Sequence, residues 1–356
     1  MRYTIPYMSA VSVKKNKFGL LSDGTKVHLF TVSNGKMSFS CSDYGCTVTS
    51  IILPAKGGSQ VDVLLGYSSL EGFLNSDLCF GTVVGRFANR IGNASFTLDG
   101  VRYQLDKNDA GINTLHGGFD RYEKKMWKAK KVSSRFGKGV RFTRLSPDGE
   151  QGFPGNVNIS VSYYLNESNT ITMEYHASTD KATPLNLTNH AYFNLKGYNG
   201  GDISSHLLSM DCGHYLEVDK NLIPTGTLVS VTDTPYDFTK AKAMGKDIDS
   251  VGYGYDNCYV LSHPATTEEP VLFASVIEPE SGRKMHVSTT MPGVQFYTAN
   301  WIDGEKGKQG VSYVKHGAFC LETQFFPDSP NKASFPNCIL RPGQDAHTVT
   351  QYSFEF

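Results

Sequence analysis

Apolar and polar residues alternate with a period of two along most of the chain, the repeat expected of strands with one buried face. Ile159, Val161 and Tyr163 fall on one face, and Ile171, Met173 and Tyr175 repeat the pattern after a short polar break. Ser160, Ser162, Thr172 and Glu174 take the opposite face. The break, Asn166-Glu167-Ser168-Asn169, predicts that the two runs form a hairpin. A second hairpin is predicted over 96–105, where Asp99-Gly100 interrupts the alternation with two residues that tolerate positive φ. Runs at 27–32, 37–41, 47–53, 271–277, 284–287, 294–298 and 348–356 predict further strands.

Helical periodicity is confined to two short stretches, 69–75 and 240–248. No regular alternation of strands with long helices occurs, which excludes a parallel α/β sheet. Tyr, Phe, Val and Thr suit pleated, half-buried surfaces. The predicted class is all-β: a large antiparallel β-sandwich with long loops and few short helices. At 356 residues, length alone suggests two domains. No internal repeat, low-complexity tract or Pro/Gly/Ser linker divides the chain, so a single domain over 1–356 is expected.

Composition narrows the functional classes. Lys and Arg number 34, Asp and Glu also 34, giving zero formal charge. A neutral chain lacks the basic excess that nucleic-acid binding requires. With 39% apolar residues, it is neither disordered nor, at 19% charged, a coiled coil. No run approaches the ~20 apolar residues of a membrane span. Residues 1–17 lack an apolar secretory core. Seven scattered cysteines with no CxxC pair read as reduced thiols of a cytoplasmic protein. No GxGxxG follows a strand, Gly304–Gly310 lacks the phosphate-loop spacing, and HExxH is absent. No cofactor and no metal are therefore expected.

Six loop-like segments concentrate hydrogen-bonding residues. In Gly85–Gly92, glycines bracket Arg86, Asn89 and Arg90, donors and acceptors suited to vicinal hydroxyls or simply to a polar turn. Asn113–Gly118 sets His116 before two glycines, where the backbone can bend and a ligand approach; a carbonyl partner for the ring is the alternative. In Asn186–Leu195 the alternation gives way to a polar, aromatic block. There His190 titrates near neutral pH and Tyr192 shares its face if the segment is extended; Asn and Thr side chains capping a loop are the alternative. Tyr255–Tyr259 puts Asp256 between aromatics, fitting either a sugar site or an Asx-turn. Gln295 points away from its apolar neighbours Val294 and Phe296, toward ligand or solvent. Glu322 lies in so apolar a stretch that it is either exposed by alternation or buried with a raised pKa, the latter suiting a general base. Asp328, beside Pro327, reads as a turn residue.

In this order, GRFANRI (85–91), NTLHGG (113–118), NLTNHAYFNL (186–195), YDNCY (255–259), PGVQFYTAN (292–300) and CLETQFFPDSPN (320–331) resemble the aldose 1-epimerase family. The resemblance implies a broad β-sandwich with an open sugar cleft, no cofactor, and interconversion of the α and β anomers of free aldohexoses such as galactose and glucose. By position, Glu322 resembles the family's general base and His190 its general acid, which requires His190 protonated and Glu322 ionised at the outset. Asn89, Arg90, His116, Tyr192, Asp256 and Gln295 stand where the family binds sugar hydroxyls. Phe87 replaces a frequent Tyr, and Asn257 a frequent His. The expected partner is a small aldohexose, with neither nucleic acid nor membrane, and the protein a monomer or weak homodimer. Three other readings stay open. A hexose-6-phosphate epimerase would draw on Arg86 and Arg90 for phosphate. A glycoside hydrolase would pair Glu322 with Asp256. A sugar-binding module would need no acid–base pair.

Overall fold

The computed structural model describes residues 11–356. The reading of residues 1–17 as lacking a secretory core therefore lies partly outside the described residues. The strands are paired antiparallel throughout the sheets. The largest sheet has nine strands. In order across it these are Lys128–Ser134, Gly137–Ser146, Val157–Leu165, Thr170–Thr179, Asp345–Glu355, Lys284–Thr289, Val271–Ile277, Leu207–Met210 and Lys242–Ala243. The 157–165 and 170–179 strands form the predicted hairpin, with Val161 opposite Tyr175 and Tyr163 opposite Met173. Ser95–Leu98 and Val101–Gln104 form the other.

Two five-stranded sheets accompany the large one. The first runs in chain order from Ser12–Leu20 through Lys26–Ser33, Ser38–Ser42 and Thr47–Pro54 to Gln60–Asp62. The second is ordered Pro224–Ser230, His214–Val218, Asp256–Val260, Gly293–Tyr297, Cys320–Gln324. All three feed one hydrophobic core: Phe30 and Phe39 from the first, Val161, Met173 and Tyr352 from the large sheet, and Tyr259, Val294, Phe296 and Leu321 from the second. Burying these faces together is what forces the sheets into layers. All seven cysteines are buried free thiols. Among the described residues no helix is long and apolar enough to cross a membrane.

The helix expected near 69–75 is present as a short turn of helix, Leu70–Leu74. The one expected over 240–248 is absent. Lys242–Ala243 instead pairs with Leu207 and Leu208 at the sheet edge, and a 3₁₀ turn forms only at Ile248–Val251. Sheet pairing there overrides a weak local helical pattern. It is reinforced by Lys242 Nζ, which donates to the Pro235 carbonyl at 2.7 Å and to Asp247 at 2.9 Å.

Long loops are anchored by buried polar side chains. Arg86 is 1% exposed. Its guanidinium donates to Ser146 Oγ, the carbonyls of Ser146, Pro147 and Pro154, and Thr183 Oγ1. Its charge is therefore committed to the scaffold. Asn186 joins three distant segments: its Nδ2 donates to the Ala88 and Phe325 carbonyls, and its Oδ1 accepts from Phe325 N–H at 2.9 Å. Asn189 and Asn194 act similarly on the carbonyls of Gly81, Gly201 and Gly317.

Phe296 packs against Phe238, Tyr255 and Tyr259 with its side chain fully enclosed. Phe296→Ala is expected to lower the unfolding free energy by about 3–5 kcal/mol in a denaturant titration. Asn186→Ala strands buried groups of the Ala88 and Phe325 backbone and is expected to cost about 1–3 kcal/mol by the same measurement.

Candidate active site

One face of the second five-stranded sheet is sealed in the core, and the other forms the floor of a cleft. Register decides which residues go where. Cys258 lies opposite Gln295, and Gln295 opposite Glu322; Asp256 lies opposite Tyr297, and Tyr297 opposite Cys320. Directly opposed residues share a face. Asp256, Gln295, Tyr297 and Glu322 thus stand together on the cleft side, while Val294, Phe296 and Leu321 fill the core.

Loops build the walls. Arg90–Ile91 pairs with Thr114–Leu115, which brings the first and second segments side by side. Asn89 and His116 then clasp each other: His116 N–H donates to the Asn89 carbonyl at 3.1 Å, and Asn89 N–H donates to His116 Nδ1 at 3.2 Å. Both residues have left-handed backbone, with φ of 64° and 55°. Gly117 follows at φ 92°, and a Cβ there would lie 2.3 Å from the Gly85 carbonyl oxygen, so only glycine fits. Because Nδ1 of His116 accepts, a neutral ring carries its proton on Nε2. Arg90 is held by Asp109 at 3.1 Å through Nε, leaving the rest of its fork free. Asp328, expected as a turn residue, has left-handed backbone (φ 59°). It accepts from Gly92 N–H at 3.0 Å, and its own N–H donates to the Arg90 carbonyl.

The third segment supplies the remaining wall. His190 N–H donates to the Thr82 carbonyl, and its ring stacks on Tyr192 with centroids 4.7 Å apart. His190 Nε2 lies 3.5 Å from Glu322 Oε1, and Cys320 Sγ lies 3.5 Å from Nδ1. Glu322 is 2% exposed, and its Oε2 is enclosed without a hydrogen-bond partner among the described residues. Gln295 Nε2 donates to Asp256 Oδ1 at 2.7 Å, while Gln295 Oε1 is similarly unpartnered. Enclosed oxygens without partners are costly unless a ligand supplies donors.

Asn89, Arg90, His116, His190, Tyr192, Asp256, Gln295 and Glu322 all line this one cleft, of about 200 Å³. Asp77, Cys79, Arg121, Tyr297 and Trp301 line it as well, and sequence reasoning did not single them out. Tyr297 was within reach, since it follows Gln295 at the spacing of one strand face. Arg121, paired with Glu123 at 2.5 Å and Asp77 at 3.2 Å, and the 62% exposed Trp301 carried no such signal.

Electrostatics follow from enclosure. Burial raises the Glu322 carboxyl well above its usual range, reinforced by Asp256 and opposed by Arg90. Burial also lowers His190, to about 3. His116 is lowered well below its ordinary value by burial and then by the His190, Arg121 and Arg90 charges. Asp256 is raised by burial, with Arg90 and Gln295 opposing. Burial thus disfavours both the His190 imidazolium and the Glu322 carboxylate that the sequence reading expects at the outset. Arg86, offered earlier as a phosphate ligand, is enclosed elsewhere. Of the two guanidiniums lining the cleft, Arg90 is already paired with Asp109, and Arg121 with Asp77 and Glu123. Phe87 packs in a separate apolar cluster, and Asn257 projects from the opposite side of its strand to Asp256. Neither departure from the family pattern lines the cleft.

Comparison with known proteins agrees with this geometry. The aldose 1-epimerase family model matches residues 28–353. Galactose mutarotase of Rattus norvegicus is 41% identical over 347 residues, 97% of this chain and 99% of that protein. Galactose mutarotase of Homo sapiens is 40% identical, covering 96% and 98%. Aldose 1-epimerase of Escherichia coli K12 is 36% identical, covering 94% and 97%. An aldose epimerase homologue from C. elegans superposes with a TM-score of 0.84 at 28% identity, over 97% of this chain and 99% of that one. The six segments, the sandwich that gathers them and the full-length similarity make this chain a member of the aldose 1-epimerase family.

Proposed function

We propose that this protein is a mutarotase, an isomerase that interconverts the α and β anomers of free aldohexoses, galactose and glucose among them. The observation that carries the reading is the His190–Glu322 contact at 3.5 Å within a cleft of hydroxyl-binding side chains. The relatives named galactose mutarotase support the substrate class.

Anomer exchange needs two proton transfers at one end of a pyranose. A base removes the proton of the C1 hydroxyl while an acid delivers one to the ring oxygen, and the C1–O5 bond opens to the aldehyde. Rotation about C1–C2 presents the other carbonyl face. Closure then returns both protons, with the roles of acid and base reversed. Glu322 serves as base toward O1 and His190 as acid toward O5. The reacting unit is the pair holding a single proton. Burial favours the neutral form of that pair; the sugar hydroxyls, with Gln295 and Asp256, supply the hydrogen bonds that make its ionic form accessible. His116, Arg90 and Asn89 hold hydroxyls and steady charge that develops on oxygen. Tyr192 fixes the plane of the His190 ring by stacking.

Polarimetry of freshly dissolved α-D-galactose tests the reading. Accelerated mutarotation is expected, and unaltered rates with measurable sugar binding would make the protein a binding module instead. Glucose 6-phosphate in the same assay should react far more slowly than glucose. Glu322→Gln and His190→Asn should each lower kcat by about 10²–10⁴-fold with little change in sugar affinity. Near-normal turnover in either variant refutes the assignment.

The pH profile follows from the pair. Adding a second proton, at His190, abolishes activity; its lowered value, about 3, puts that limb far below the ordinary imidazole range. Losing the remaining proton abolishes activity on the alkaline side. Because Glu322 is raised, that limb lies well above the ordinary carboxylate range. Turnover at pH ~5 should therefore stay within about twofold of its neutral value. A steep fall through pH ~6.5 would instead report an ordinary, solvent-exposed histidine.

A further inference from the structure

Away from the cleft, the large sheet carries a second cluster of metal-ligating side chains. Glu174 and His176 project from the same face of the 170–179 strand, two residues apart, and His347 lies directly opposite His176 on the 345–355 strand. Glu174 Oε1 is 3.5 Å from His176 Nε2 and 3.4 Å from His347 Nε2, and one ligand atom from each residue lies within 4.8 Å of the others. Around a tetrahedral ion with bonds of ~2.1 Å, neighbouring ligand atoms are about 3.4 Å apart. The two carboxylate–imidazole separations already have that spacing.

Each end of the cluster is oriented from outside. The enclosed Tyr164 hydroxyl donates to Glu174 Oε2 at 3.2 Å, turning Oε1 toward the rings. Glu268, an exposed side chain, brings Oε2 to 3.6 Å from His347 Nδ1, an ion-pair separation on the far side of the ring. Carboxylate behind imidazole, with imidazole facing the ion, is a recurring support for metal ligands. Ser160, opposite His176 on the adjacent strand, has an enclosed Oγ with no hydrogen-bond partner among the described residues. The group opens on a surface hollow of about 990 Å³ that Ser160, His176, Glu268, Asp345 and His347 help to line, so an ion has a path in.

We propose that Glu174, His176 and His347 form a binding site for a divalent ion of the Zn²⁺ class, bridging the 170–179 and 345–355 strands. Two imidazole nitrogens and one carboxylate oxygen are a borderline-soft donor set that suits Zn²⁺ over Ca²⁺ or Mg²⁺. The rings stack 4.3 Å apart and nearly parallel, so each turns about χ2, a soft torsion, to converge on the ion. The fourth position is left to water or an exogenous group. Ion binding cross-links two neighbouring strands in the middle of the sheet and stabilises the fold by linkage.

Calorimetric titration of the full chain with Zn²⁺ alone tests the site, with His190→Asn as a control for the His190–Cys320–Glu322 group in the cleft. About one equivalent should bind with a dissociation constant below ~100 µM, both in wild type and in His190→Asn. His176→Ala and His347→Ala should each weaken binding at least ~10-fold, and Tyr164→Phe by a smaller factor. Sugar turnover in the two histidine variants should match wild type, which also shows that they fold; His347→Gln replaces His347→Ala if the latter is insoluble. Zn²⁺ should raise the wild-type Tm by about 2 °C or more and leave the His347 variant unmoved. No binding at ~100 µM Zn²⁺, or binding that survives His347→Ala and vanishes in His190→Asn, overturns the proposal.

Discussion

Gln295 and Glu322 face each other across two antiparallel strands, and nearly everything else in the site depends on that register. The side-chain period of a strand is two, so a slip of one residue would send Glu322 into the core and Leu321 into the cleft. Such a slip is prevented by what lies behind. Val294, Phe296 and Leu321 are enclosed among residues of the other sheets, and exposing them would forfeit roughly 1.5–3 kcal/mol per side chain. The apolar face thus fixes the position of the polar one. Arg86 and Asn186 extend the same control to loops that have no sheet of their own.

A site built this way works against its own stability. Glu322 Oε2 and Gln295 Oε1 are enclosed without partners among the described residues, and His190 is held where its charged form is disfavoured. Each unsatisfied oxygen costs about 1–3 kcal/mol. The same desolvation makes the pair useful. It keeps the imidazole neutral and the proton on the carboxyl side of the pair, so the site without sugar carries no net charge there and its ionic form is reached only with the hydrogen bonds a bound polyol supplies.

Much of this was legible in the chain. Many strand positions followed from alternation, though those at 12–20, 128–134, 137–146, 207–210, 214–218 and 224–230 did not, and Gln295 was correctly placed against Val294 and Phe296 by period alone. The eight site residues, read from polar segments and the family resemblance, converge on one cleft, although Asp256, Gln295 and Glu322 stand on strands and not on the loops their polarity suggested. Local pattern failed where tertiary contacts decide. Residues 240–248 look helical, yet Lys242–Ala243 serves as a sheet edge. In 186–195 both readings hold at once: Asn186, Asn189 and Asn194 tie the loop to backbone carbonyls, while His190 and Tyr192 line the cleft. Arg121 and Trp301 join the cleft only through folding of the chain between. His176 and His347, far apart in sequence, gave no metal spacing to recognise, because their meeting depends on the pairing of the C-terminal strand.

Charge neutrality takes on a specific meaning once the cleft is described. The cationic groups near the sugar position are each matched locally: Arg90 by Asp109, and Arg121 by Asp77 and Glu123. Paired charges create little field beyond about a Debye length, ~8 Å in physiological salt. Such a cleft does not draw in an anion from a distance. It recognises by contact, through donors and acceptors already fixed in orientation by their partners, which suits an uncharged polyol that must be released as readily as it is bound.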